Sequence, residues 1–304
     1  MGTVHALAAR ETATITEACD GYLATLAGPE SAGTRRVYSG ILRALAGDLG
    51  PDTDVATLQP RAVAAWFTGR WGDRSPSRWN VALDALRSAS GYWRDQGWIT
   101  GDPVRLLRRR RKAPDRTRAL SRADVERLLT REDLGIRERT LWRMLYETAA
   151  RSAEVLRLDV EDLDLANRKA KVRRKGGAID VIVWQTGTAR LLPRLLKGRK
   201  SGPVFLTDRR ARVELPPGDI DPASGRARLG YRQAEDLFKA ASGGATLHQL
   251  RHSALTHDAE AGASTPMLMA KSGHTSVASL ARYARPSAEA LARWQESNDP
   301  ARRR

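Results

Sequence analysis

Between residues 12 and 102, apolar positions recur at three- and four-residue intervals, the spacing of one helical face. ITEACDGYLATL follows Thr14 and Thr16, either of which can cap a helix, and RRVYSGILRALAGDL follows Thr34, a cap for a second. In LQPRAVAAWFTG, Pro60 falls near the first turn, where its missing N–H costs little. In SRWNVALDALRSASGYWRDQG, the residues Trp79, Leu83, Leu86, Ala89 and Trp93 make one apolar stripe, ended by Gly97. The spacings predict a small helical domain over 12–102 with its aromatics in the core.

The pattern then stops. RLLRRRRKAPDRTR, from Arg105 to Arg118, holds eight basic residues and one acid with Pro114 inside it, and reads as part of a basic linker over 103–117. Such a run is either a solvated face or a strap across a DNA backbone.

From 118 onward helix and strand patterns mix. Ser121 precedes RADVERLL, and TLWRMLYETAA reads as a helix. Arg151 stands at a junction where Ser152 can cap AEVLRL. KAKVRR and AIDVIVW flank Lys175-Gly176-Gly177, a hairpin signal. TARLLPRLLK looks helical despite Pro193, GPVFLT suggests a short strand, and 208–230 reads as a surface loop or excursion. The last third is helical, broken near Gly262, Gly273 and Pro286, with a short amphipathic segment containing Ala288, Leu291 and Trp294. The expected fold has two domains and is mostly α, with a helical N-terminal domain and an α+β C-terminal domain holding a small sheet.

Charge sharpens this picture. The chain carries 52 basic and 35 acidic residues, a net of +17. Residues 1–110 contribute only +3 and 111–304 the other +14. That excess suits a polyanionic partner, although an Arg-rich genome also produces it. No apolar run approaches the roughly 18–20 residues that cross a bilayer, which argues against a membrane protein. A single cysteine, Cys19, excludes an intrachain disulfide and a cysteine-based metal cluster, which suits the reducing cytoplasm.

The candidate chemistry lies near the end. In ATLHQLRHSALTH, Thr246 can cap a helix that places His248 and Arg251 on one face of its first turns. A helix N-terminus with unpaired N–H groups suits a phosphate. Four of the five histidines fall between 248 and 274, so metal binding is a rival explanation. Gln249 stands where a zinc-binding helix would have Glu, and Arg251 would place positive charge beside a cation. His252 and His257 fit ordinary core positions. In TPMLMAKSGHTSVASLARYARP, the pair Thr265-Pro266 can open a helix that Gly273 ends. A second, starting at Ser276, is short enough for His274 and Tyr283 to converge. Taken alone, Tyr283 reads more readily as a buried anchor.

LHQLRH at 247–252, SGHTSVASLARY at 272–283 and TAARSAEVLRLDVEDLDL at 148–165 together resemble the boxes of the tyrosine site-specific recombinases, the phage integrase and Xer-like family. The resemblance spans roughly residues 12–290. It implies a catalytic set of Arg151, Lys175, His248, Arg251, His274 and Tyr283, with Glu154 supporting Arg151 and Lys175 on a β-turn. It also implies DNA cleavage and rejoining through a covalent 3′-phosphotyrosine, without metal or other cofactor. The N-terminal domain would clamp DNA, with Arg74, Arg78, Arg108, Arg109, Arg110, Arg111 and Lys112 available for backbone contacts. The implied partners are double-stranded DNA with paired inverted core sites, a homotetramer on two duplexes, and an accessory directionality or DNA-bending protein. Integration or excision of a mobile element is the expected outcome. The alternatives are Xer-like dimer resolution, a topoisomerase sharing the tyrosine chemistry, and a non-catalytic architectural DNA-binding protein. With about 12 residues before the first domain, a simple core site without an arm-site domain is expected. Ala149-Ala150 replaces the family's usual Gly and larger apolar residue, and the turn lacks the basic pair that often follows the lysine.

Overall fold

The computed structural model describes residues 12–28, 31–111, 119–174, 177–280 and 288–299. The chain forms two units, divided between Pro114 and Asp115. No described helix is long and apolar enough to cross a membrane.

The first unit contains α1 (Ile15–Thr25), α2 (Ala32–Leu49), α3 (Pro60–Trp71) and α4 (Pro76–Asp95). Thr14 opens α1 with a reciprocal cap: its hydroxyl accepts the Glu17 N–H while the Glu17 carboxylate accepts its own. Ser31, rather than Thr34, stands at the N-cap position of α2, so that helix begins before the expected cap. All five members of the α4 stripe are buried. The Trp93 indole donates to the Ala18 carbonyl at 2.7 Å, so its one polar group is satisfied inside the core.

The expected linker begins differently. Val104 and Leu107 are buried in the first unit's core. Trp79 and Asn80 donate to the carbonyls of Arg108 and Arg110 (both 2.8 Å), and Arg87 to that of Leu107 at 3.1 Å. Residues through 110 are therefore a strap on the helical unit. The charge run conceals this because α4 supplies the partners and two apolar residues pin the strap.

The second unit begins with α5 (Arg122–Thr130), α6 (Ile136–Thr148) and α7 (Ser152–Leu156). Three antiparallel strands follow in spatial order: β1 (Leu163–Asp164), β2 (Lys169–Arg173) and β3 (Ile179–Val183). The register sets Lys169 opposite Val183 and Arg173 opposite Ile179. Ala170, Val172 and Ile182 face inward. α8 (Thr186–Leu196) tolerates Pro193 in its last turn, where the missing N–H removes one bond. Its N-terminus is closed by the buried Glu147 of α6, which accepts the N–H groups of Gln185 and Thr188 at 2.9 and 3.2 Å.

Two expectations fail in the next stretch. GPVFLT is not itself the strand; β4 is Leu206–Arg210, and it pairs with β5 (Arg226–Arg228) in a two-stranded sheet. Residues 208–230 are thus anchored rather than a free loop. Arg228 binds Asp159 and Asp219 at 2.8 and 2.6 Å, a clamp across distant sequence that local composition does not reveal. The chain continues through α9 (Tyr231–Ser242), α10 (Leu247–Glu260), α11 (Thr265–Ser272), α12 (Val277–Leu280) and α13 (Ala288–Ser297). Ser264 caps α11 and Gly273 ends it at φ +64°, a backbone region that favours glycine. Leu291 and Trp294 on α13 are exposed.

Candidate active site

The α6 helix stops at Thr148 because Ala149 takes a left-handed conformation, φ 49° and ψ 23°. This is an uncommon backbone for alanine, at the position where the resemblance expects glycine. The turn delivers Arg151 to the N-cap of α7, rather than Ser152. The Glu154 carboxylate accepts the Arg151 guanidinium at 2.8 Å and the Arg151 backbone N–H at 3.0 Å. Arg151 is partly exposed while Glu154 is buried. One carboxylate thus fixes both the backbone and the side chain of this arginine.

Arg251 comes from α10 and is 4% exposed. It donates to the carbonyl of Ala149 through Nη1 and to that of Ser272 through Nη2, the latter at 2.8 Å. The unusual turn at Ala149 therefore supplies one of the acceptors that orient Arg251. The Ser272 hydroxyl donates to the Leu268 carbonyl at 2.6 Å and lies 2.6 Å from His274 Nδ1. A carbonyl only accepts, so the serine proton is committed there and Nδ1 carries its own hydrogen toward the serine.

His248 is exposed in the first turn of α10. The expected phosphate-binding helix terminus is largely closed. The Thr246 hydroxyl accepts the Gln249 N–H and the buried Glu235 carboxylate accepts that of Leu247, both at 3.0 Å. Two of the first-turn N–H groups, those of Leu247 and Gln249, are thus satisfied by α9 and the cap. Lys175 and Tyr283, like Lys112, lie outside the described residues. The described residues flanking Lys175-Gly176 are joined, Gly177 N–H donating to the Arg174 carbonyl at 3.1 Å.

Arg174 is the member of this site that the sequence reading missed. It is buried, with Nε donating to Asp180 at 2.8 Å and Nη1 to Glu154 and the Ser272 carbonyl, both at 3.1 Å. The signal was available in the alternation of β2. Ala170 and Val172 face inward, so position 174 continues the inward phase, where an arginine requires partners.

The basic residues of the first unit divide. Arg74, Arg78, Arg108 and Arg111 are exposed. Arg109 pairs with Asp84. Arg110 turns inward, lying 3.7 Å over the Trp79 ring and donating to the Gly72 carbonyl at 2.6 Å. These contacts tie its guanidinium to the first unit.

His257 belongs to the packing of α10. It is buried, and its Nδ1 lies 2.8 Å from the Tyr146 hydroxyl. Burial, reinforced by the charge of Arg122, holds its imidazole below the ordinary value of 6.5, against the opposing Glu260 and Asp258. A base with a lowered folded pKa binds fewer protons when folded, so its contribution is full above about 6.5 and is lost as pH falls below that value. His257→Gln is expected to flatten the decline in melting temperature between about pH 7.5 and about pH 5.5. An unchanged slope would assign that decline to other groups. Among the described residues no cluster of three His, Cys, Asp or Glu side chains is placed to hold a metal ion.

Residues 118–290 match the model of the phage integrase family. The chain is 30% identical over 289 residues to the tyrosine recombinase XerC of Mycobacterium tuberculosis, covering 87% of this chain and 91% of that protein. Its fold is similar to that of the Tn1549 transposon integrase solved with circular intermediate DNA, at TM-score 0.68 and 16% identity, over 93% of this chain and 99% of that one. It is also similar to a lambda integrase tetramer bound to a Holliday junction, at TM-score 0.66 and 17% identity, over 87% of this chain and 78% of that one. At these identities the two structures bear on the fold, whereas the XerC match extends along most of the sequence. With the family model covering more than half of its length, the chain belongs to the phage integrase family and is a tyrosine site-specific DNA recombinase.

Proposed function

We propose that Tyr283 is the nucleophile and that Arg151, Arg251 and His274 hold the scissile phosphate, with Lys175 and His248 moving protons. The observation that carries this reading is the anchoring of Arg151 and Arg251 by buried acceptors, including Glu154 and the Ser272 carbonyl. Two pre-oriented guanidiniums supply planar, always-charged donors to phosphate oxygens without reorganising as charge develops. In the cleavage step the Tyr283 oxygen bonds to phosphorus and the bond to the 5′ oxygen breaks. The phenolic proton leaves toward His248, and Lys175 gives a proton to the departing oxygen. The product is a 3′-phosphotyrosine and a free 5′-hydroxyl, and the reverse reaction with a second strand rejoins DNA. No metal or cofactor enters these steps.

Double-stranded DNA with paired inverted core sites is the proposed substrate, bound by four protomers on two duplexes with an accessory protein setting direction. Arg74, Arg78, Arg108 and Arg111 supply backbone contacts from the first unit. We assign the outcome to integration or excision of a mobile element, on the altered arginine box at Ala149-Ala150, the basic run from Arg105 and the excursion at 208–230. A second reading, Xer-like dimer resolution, is favoured by the length-wide similarity to XerC. Mapping the recombined sites to an element boundary or to a single chromosomal site separates the two. The chemistry itself is tested by incubating the protein with nicked duplexes recovered by binding from a randomised inverted-repeat library. The expected result is a DNA-linked peptide containing residue 283; linkage at another residue would reassign the nucleophile.

A further inference from the structure

We infer that Arg174 is a positioning residue that locks the two phosphate-binding arginines into one frame. The inference rests on the site reading above and adds a member to it. Glu154 accepts Arg151 on one oxygen, and on the other both the Arg151 backbone N–H and Arg174 Nη1. Ser272 offers one carbonyl to both Arg174 and Arg251, at 3.1 and 2.8 Å. A continuous chain of hydrogen bonds therefore runs from Arg151 through Glu154, Arg174 and the Ser272 carbonyl to Arg251. Asp180 on β3 fixes the other edge of the Arg174 guanidinium at 2.8 Å. Arg174 thus ties α7, the β2–β3 hairpin and the end of α11 together, and it directly precedes Lys175.

Two further features support a role beyond holding the fold. A Cβ at position 273 would fall on the Arg174 guanidinium, so Gly273 satisfies both the left-handed backbone and the close approach of this side chain. The remaining terminal nitrogen, Arg174 Nη2, is buried with no hydrogen-bond partner among the described residues. An unsatisfied buried donor costs stability, and an apolar side chain would avoid that cost. Retaining a guanidinium here is accounted for by what it does to Glu154 and Ser272. Without it, Glu154 and the Ser272 carbonyl each lose a donor, and Arg151 and Arg251 no longer share a rigid connection. Misplacing a reacting group by about 1 Å can slow a reaction by roughly a hundredfold.

The test compares Arg174→Met and Arg174→Lys with the parent protein and with Arg228→Met, which breaks a clamp outside this network. Each full-length variant is assayed for duplex affinity, melting temperature and rate of covalent attachment at matched DNA occupancy. The nicked duplex carries either oxygen or sulfur as the 5′ leaving atom at the mapped cleavage position. Arg174→Met is expected to bind DNA nearly as the parent does and to attach roughly tenfold to a hundredfold more slowly. Because a thiolate departs without a proton, the slowing should be the same for both leaving atoms if the arginines are what has moved. Arg174→Lys should recover part of the rate, and Arg228→Met should attach at the parental rate even with a lowered melting temperature. If Arg174→Met does not fold, the Lys variant carries the test, and a parental rate from it overturns the inference. So does a parental rate from folded Arg174→Met, an equal slowing by Arg228→Met, or full rescue by sulfur, which would place the defect at leaving-group protonation. Absence of attachment by the parent overturns the site reading and this inference together. Attachment that needs Tyr283 but ignores Arg174 overturns this inference alone.

Discussion

Tyr283→Phe is expected to abolish covalent capture of a nicked duplex while leaving DNA occupancy nearly unchanged. The substitution removes one hydroxyl and keeps most of the aromatic volume, so folding should survive. No phenolic oxygen then remains to attack phosphorus, and neither Arg151 nor Arg251 can replace a nucleophile. A free tyrosine titrates near 10, which is why the reaction needs cations that favour the phenolate as the bond forms. Parental attachment by the Phe variant, measured on denaturing gels at matched occupancy, would exclude Tyr283 and send the search to another residue. An architectural DNA-binding protein would show occupancy and no attachment in either protein.

The second large effect is expected at Arg251. Arg251→Lys keeps the charge but replaces a planar fork of donors with one ammonium. In the fold the guanidinium bridges the carbonyls of Ala149 and Ser272, two acceptors from different segments. A lysine cannot hold both and also present a flat edge to a phosphate. Loss of one well-placed donor is worth about 3 kcal/mol, or about a hundredfold in rate. Capture by Arg251→Lys should therefore slow by about that factor at matched occupancy. His252→Asn is the neighbouring control, expected to retain measurable cleavage. Equal rates for Arg251→Lys and the parent would remove Arg251 from the charge-stabilising set, whatever its role in packing.

Much of this was legible before the fold was known. The α4 stripe from Trp79 to Trp93 follows from the 3.6-residue period. The β2–β3 pairing follows from alternation interrupted by a Gly-rich turn, and the end of α11 from the glycine at 273. For the chemistry, the resemblance of the boxes holding Arg151, His248, Arg251, His274 and Tyr283 to those of the tyrosine recombinases supplied the candidate residues. These signals are local, and a helix face, a strand phase or a motif needs only its own neighbours to be recognised.

Tertiary structure decided what those residues are attached to. Arg110 reads as another positive charge in a basic run, yet Trp79 and the Gly72 carbonyl fold it inward. The first turn of α10 reads as a phosphate site, yet Glu235 from another helix takes the Leu247 N–H. Arg174 reads as the second basic residue before a turn, yet Glu154 and Ser272, separated from it by 20 and 98 positions, make it the link between two arginines. Sequence determined which groups were present and their local phase, because covalent spacing sets both. Only the fold decided which donors were already satisfied, because buried acceptors arrive from distant segments and burial makes each pairing obligatory.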